Sequence, residues 1–107
     1  MELLQLQYFQ AVARTGNITQ AAKELYISQP CLSRSISRLE QSLGVALFDR
    51  KGRNIVLNQY GKAFLKRVNA SLKELSDGQQ ELYDMSEQFS ETVSVGAVTL
   101  RFLPRLF

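Results

Sequence analysis

The 107 residues can bury one modest core, and with 45% apolar and 21% charged side chains they have the make-up of a soluble globular chain. The single cysteine, Cys31, excludes an internal disulfide and fits a reducing compartment, while the absence of histidine removes the commonest metal ligand and general base together. The net charge of +3 lies wholly on residues 1–58, and 77–91 carries five acids and no base, so a polyanion would meet one part of the chain only.

In chain order, Leu6, Phe9, Val12 and Ala13 recur at three- and four-residue steps, which predicts a helix over 3–15 with Gly16 as its left-handed stop. Asn17 is placed to cap a short second helix whose Ala21, Ala22 and Leu25 face inward, the paired alanines allowing a close crossing. Tyr26-Ile27-Ser28 is long enough only for a tight turn. Ser28 then caps a third helix, with Pro30 in the first turn, where its missing N–H costs nothing. Leu32, Ile36, Leu39 and Leu43 form that helix's core stripe, and Gly44 ends it.

Past Gly44 the period changes. Val45, Leu47 and Phe48, a polar tip over 49–54, and Ile55-Val56-Leu57 predict a β-hairpin, and Asn58 is placed to cap a fourth helix. Residues 59–90 contain no proline and fit one helix, about 48 Å long at 1.5 Å per residue. Leu65, Val68, Leu72, Leu75, Leu82 and Phe89 fall on a heptad seam that so small a domain cannot cover, so a second helix is expected to cover it; Gln79 and Ser86 weaken its later half. Val93, Val95 and Val98 alternate as in a strand without a partner, and the expectation is that the chain stops inside a further domain.

Two helices joined by a three-residue turn can place the second in a DNA major groove. At 100° per residue the core stripe of the third helix spans about 60°. Pro30, Arg34, Ser37 and Gln41 lie opposite, flanked by Gln29, Ser33 and Arg38. Arginine and glutamine can make paired hydrogen bonds to guanine and adenine edges, and serine can reach bases or phosphates. Arg50, Lys51 and Arg53 around the hairpin turn suit a phosphate backbone or minor groove. Asn17, Thr19 and Gln20 sit at a helix N-terminus, where the free amides favour either phosphate or a simple cap. Cys31 reads as a small residue packed at the core edge, with a redox switch as the alternative.

Phe9 and Ala13, Ala21-Ala22 with Leu25, Ser28-Gln29-Pro30 with Leu32-Ser33, Ile36, Leu39-Glu40, Leu43-Gly44, Leu47-Phe48 with Arg50, and Gly61 after Leu57 stand at spacings that resemble the N-terminal domain of LysR-type transcriptional regulators. The resemblance covers residues 1–90 and extends into 93–107. It implies a mainly α fold, a winged helix-turn-helix of three helices and a β-hairpin wing over 1–58, then a linker and dimerisation helix over 59–90. Residues 91–107 would begin an effector-binding domain. It also implies a bacterial DNA-binding regulator, with helix 28–43 in the major groove and Gln29, Pro30, Ser33, Arg34, Ser37 and the wing at the DNA. Ser28, at the start of that helix, is expected there too, and the lack of histidine, of clustered inward carboxylates and of a signal-peptide apolar core fits a cytoplasmic protein that is not an enzyme. The linker helix would pair antiparallel in a homodimer, the full-length protein would form tetramers and bind a small-molecule co-inducer, and the fragment itself would need no cofactor and no membrane. Cys31 and Tyr26 depart from the family's usual small residue and histidine. A winged-helix module used only for protein contacts is the alternative reading.

Overall fold

A computed structural model describes residues 1–52 and 54–90, the last three by their backbone alone. Arg53, the Phe89 side chain and the strand expected over 92–98 lie outside the described residues. The elements run α1 (Leu3–Thr15), α2 (Ile18–Leu25), α3 (Gln29–Leu43), β1 (Phe48–Lys51), β2 (Asn54–Leu57) and α4 (Gln59–Ser90).

α1 and α3 stop where local chemistry favours stopping. Gly16 and Gly44 take left-handed conformations (φ 67° and 79°) and donate their N–H groups back to the Val12 and Glu40 carbonyls. Asn17 Oδ1 accepts the Gln20 N–H at 2.9 Å, and Ser28 Oγ accepts the Cys31 N–H at 3.2 Å, as the two N-caps require. Asn58 Oδ1 accepts the Gly61 N–H at 2.9 Å, while its amide nitrogen donates to the Ala46 carbonyl at 2.8 Å, so one side chain caps α4 and ties down the wing's base.

The core is built from the apolar stripes of the first three helices closed by the hairpin. Phe9, Val12, Ala21, Leu32 and Leu39 are fully buried, with Leu47 from the segment before β1. The Phe9 ring meets Phe48 edge-on at 5.4 Å between centroids and Phe64 of α4 at 5.5 Å. The compact unit that results is Met1–Asn69, so the opening turns of α4 pack with the residues before them.

The hairpin differs in detail from the expectation. Its antiparallel register pairs Phe48 with Leu57, Asp49 with Val56, Arg50 with Ile55 and Lys51 with Asn54. Asp49, Arg50 and Lys51 are therefore strand residues and not part of the tip, and Val45 precedes the strand. The reason is that an exposed two-stranded ribbon needs only a few buried residues, here Phe48 at its base and Ile55 opposite Arg50, and tolerates charged residues at its other positions. The Ile55 N–H donates to the Gly16 carbonyl at 3.1 Å and fastens β2 to the end of α1.

The seam of α4 is also divided. Val68 is buried within the single chain, and Leu65 lines a groove with Gln10 and Ala11 of α1, so neither is the freely exposed contact that heptad spacing implied. Gln10 Nε2 donates to Asn69 Oδ1 at 2.7 Å beside them. Further on, Leu72 is half-buried while Leu75 and Leu82 are 53% and 49% exposed.

Candidate nucleic-acid interface

The turn between α2 and α3 sets the geometry of the candidate face. Tyr26 closes α2 at φ 58°, a left-handed conformation that the sequence, lacking glycine there, does not advertise. Its N–H donates to the Lys23 carbonyl, and the Ile27 N–H to the Ala22 carbonyl at 3.1 Å. The chain thus turns from α2 to α3 within three residues, and the Tyr26 side chain stands 95% exposed. Ser28 then starts α3 with its hydroxyl engaged as the cap.

Along α3, Leu32, Ile36 and Leu39 are buried and Leu43 half-buried. The opposite face presents Gln29, Pro30, Arg34, Ser37, Arg38 and Gln41 to solvent, with Ser33 half-buried. This face has two sides. Ser33 and Ser37 line a small cleft with Arg50 of the wing, Ile18 and Glu40. Arg34 and Arg38 instead line a groove with Glu2, Gln5 and Tyr8 of α1 and with Cys31. The structure therefore brings Arg50 together with the serines of α3, and sets Arg34 and Arg38 toward α1.

Electrostatically, this face keeps its charge uncompensated. Among the described residues, the ion pairs are Arg14 with Glu24 and Lys73 with Asp77, and neither uses a cation of α3 or the wing. Glu40, the one carboxylate of α3, is turned to structural work: its Oε2 accepts the Leu47 N–H at 2.6 Å and braces the entry to the wing. Sequence reasoning missed that contact, since nothing in the spacing of 40 and 47 marks it. Arg50 and Lys51 are exposed on β1.

Of the three polar residues at the start of α2, Asn17 is the cap. Gln20 gives that cap its backbone N–H, and Glu24 one turn on has its carboxyl held below its ordinary pKa, chiefly by the hydrogen bond from Arg14. Thr19 does neither. Its hydroxyl donates to Gln29 Oε1 at 3.2 Å and links the starts of α2 and α3. Cys31 is half-buried. No helix among the described residues is long and apolar enough to cross a membrane.

A family profile described as "Bacterial regulatory helix-turn-helix protein, lysR family" matches residues 3–62, which is more than half of the chain. The chain belongs to the lysR family. Among curated relatives, the uncharacterised HTH-type transcriptional regulator YybE of Bacillus subtilis (strain 168) is 54% identical over 96 residues, 90% of this chain and 33% of that protein. BsdA of the same organism, also an HTH-type transcriptional regulator, is 41% identical over 98 residues, 91% of this chain and 34% of that protein. This lysR-family chain thus spans about a third of the length of these relatives. Among solved structures it is similar to the CbnR DNA-binding domain crystallised with DNA, with a TM-score of 0.72 at 42% identity over 76% of this chain and 93% of that one. The BenM DNA-binding domain on its benA site 1 DNA gives 0.68 at 37% identity over 83% and 99%. Among the described residues, four helices with one antiparallel hairpin make the lysR-family chain a winged helix-turn-helix followed by a long helix.

Proposed function

We propose that this chain is the DNA-reading end of a dimeric bacterial transcription regulator. Residues 1–58 form the DNA-binding domain, 59–90 the linker that pairs two protomers, and 91–107 the start of an effector-binding domain. Each protomer places α3 in a major groove, with Gln29, Pro30, Ser33, Arg34 and Ser37 toward base edges. Ser28, Arg38, Arg50, Lys51 and Arg53, with Asn17 and Gln20 at the start of α2, meet the sugar-phosphate backbone, and Thr19 lies beside them at the DNA. The observation that carries this reading is the outward face of α3: a buried leucine-isoleucine stripe fixes the helix, and two exposed arginines on its reverse have no acidic partner among the described residues. The likeness to two domains crystallised on DNA supports it.

Pairing through α4 would use Leu72, Leu75, Leu82 and Phe89, with Leu65 and Val68 anchoring the helix to its own domain. Two-fold symmetry then sets half-sites near one helical turn apart or a multiple of it, roughly 10 bp. The complete protein is a cytoplasmic, tetramer-forming regulator that responds to a small-molecule co-inducer through its larger C-terminal part.

A polarisation titration at two salt concentrations tests the reading on a duplex selected by the chain from a random library and on random duplex. Binding falls steeply with salt because phosphate contacts release counterions. Arg34→Ala lowers the ratio of selected to random affinity by about tenfold or more, the worth of a good arginine-guanine pair. Lys51→Ala weakens both duplexes and reduces the salt slope by about one. Affinity indifferent to salt, or tolerance of charge reversal at Arg34 and Lys51, would instead identify a protein-docking module.

A further inference from the structure

We propose that Thr19 is a positioning residue for base recognition: its hydroxyl clamps the Gln29 amide so that the side chain enters the groove with its NH2 group facing the DNA. The inference rests on the proposed DNA-reading function and assigns a specificity role that the helix-start position of Thr19 does not by itself imply.

Three observations carry it. First, the capping acceptor of α2 is Asn17, whose Oδ1 already takes the Gln20 N–H, so the Thr19 hydroxyl is not needed for the helix end. Second, that hydroxyl donates across ten residues of sequence to Gln29 Oε1 at 3.2 Å, from one helix to the next, with both residues exposed. Third, Gln29 is the first residue of α3, immediately after the Ser28 cap, at the end of the helix that enters a groove first.

The physical consequence comes from the two side chains. Threonine is β-branched and stiff at χ1, so its hydroxyl oxygen is held in few positions, and here that hydroxyl donates to the Gln29 amide oxygen. Glutamine is long and loses much rotamer freedom on being fixed. An unfixed amide can also present either its oxygen or its nitrogen, and so accepts several base edges. Once Oε1 has accepted from Thr19, the amide polarity is set. Both N–H donors remain for an acceptor edge such as a purine N7, and Oε1 keeps its second lone pair. In solvent this exposed hydrogen bond contributes little to folding. In a desolvated groove it gains weight, because a wrongly turned amide would leave a buried polar group unpaired.

The test uses the 107-residue chain and the duplex it selects from a random library. Each base pair of one half-site is replaced in turn, and the affinity ratio of parent to substituted duplex is measured for wild type, Thr19→Val, Thr19→Ser and Gln29→Ala. Val keeps the shape of threonine and removes the donor; Ser keeps the donor. The expected result is that T19V lowers the ratio by about fivefold to tenfold at the base pair that Q29A also flattens, and leaves ratios elsewhere as they were. T19S retains the wild-type profile, and T19V combined with Q29A loses no more ratio than Q29A alone. Circular dichroism and a melt confirm that each variant is folded, and the serine variant reads the donor independently of any folding defect in T19V. A T19V profile identical to wild type, or a uniform loss on every duplex, which leaves all ratios unchanged and marks Thr19 as a phosphate contact, overturns the clamp while leaving the DNA-reading function standing. A wild-type chain that selects no preferred duplex overturns both.

Discussion

The unit Met1–Asn69 and the later turns of α4 carry apolar residues at the same helical spacings, yet treat them in opposite ways. In the first, α1, α2 and α3 pack pairwise against one another, and Phe9, Leu32, Leu39 and Leu47 are all but removed from water. In the second, Leu75, Leu82 and Met85 remain about half exposed at 53%, 49% and 48%. Burying a leucine is worth about 1.5–3 kcal/mol, so a row of half-exposed ones is stabilisation still to be gained. Heptad spacing identifies side chains that call for a cover. It does not say which protein supplies it, and for Val68 the answer turned out to be the chain itself.

The comparison is broken most directly by deleting one leucine from each region. Leu39→Ala should lower unfolding stability by about 2–5 kcal/mol, through lost transfer energy and the cavity left behind. On a domain this size each kcal/mol moves the melting temperature by about 4–8 °C. Leu82→Ala should leave the melt of dilute protein nearly unchanged and shift self-association, read by sedimentation across a concentration series, to higher concentration. Equal melting losses for the two variants in dilute solution would mean that both leucines serve the same core.

The two glycines of α4 sharpen the same contrast with a smaller effect and opposite signs. A Cβ on Gly61 would lie 2.1 Å from the Leu47 carbonyl oxygen and 2.7 Å from Leu57 Cδ2. That oxygen cannot retreat easily, because it also accepts the Asn58 N–H at 3.0 Å. Gly61→Ala should therefore destabilise by about 1–3 kcal/mol or more, as overpacking does. A Cβ on Gly78 meets nothing within 4 Å. Gly78→Ala should stabilise by up to about 1 kcal/mol, the helix-propensity difference alone. Thermal melts of the two variants should move in opposite directions; a stabilising Gly61→Ala would show that α4 does not approach Leu47 so closely.

The caps, helix limits and core of the first unit were legible in the sequence because each depends on neighbours within a few residues. Asn17, Ser28 and Asn58 cap, Gly16 and Gly44 stop, and the stripe of α3 is buried as its four- and three-residue steps require. What escaped was set by contacts distant in sequence. The brace from Glu40 to the Leu47 N–H, the bond from the Ile55 N–H to the Gly16 carbonyl and the burial of Val68 have no local signature. The strand through Asp49-Arg50-Lys51 escaped for a different reason: its pairing comes from β2 and not from any alternation of its own. The outward face of α3 was legible as a set of residues, but its division into a serine side by the wing and an arginine side by α1 was not, since that depends on which element packs alongside. Gly61 did leave a trace, as a helix-disfavouring residue in a first turn where nothing local asks for one.

The smallest expected effect concerns the surface of the first unit, where Arg14 of α1 pairs with Glu24 of α2. The side chains are 66% and 36% exposed, so water screens much of the attraction and the pair contributes only slightly at neutral pH. Its sign is nevertheless fixed. The hydrogen bond from Arg14 holds the folded-state pKa of Glu24 below the ordinary value, so the folded chain keeps this carboxylate ionised where the unfolded chain protonates it. The contribution is therefore complete above the ordinary glutamate pKa and is lost as pH falls through the depressed one. Glu24→Gln should sit slightly below wild type in urea midpoint at pH 7, and the gap should close in acid and also shrink in molar salt. A gap of constant size from neutral pH into acid would show that position 24 matters by its packing and not by its charge.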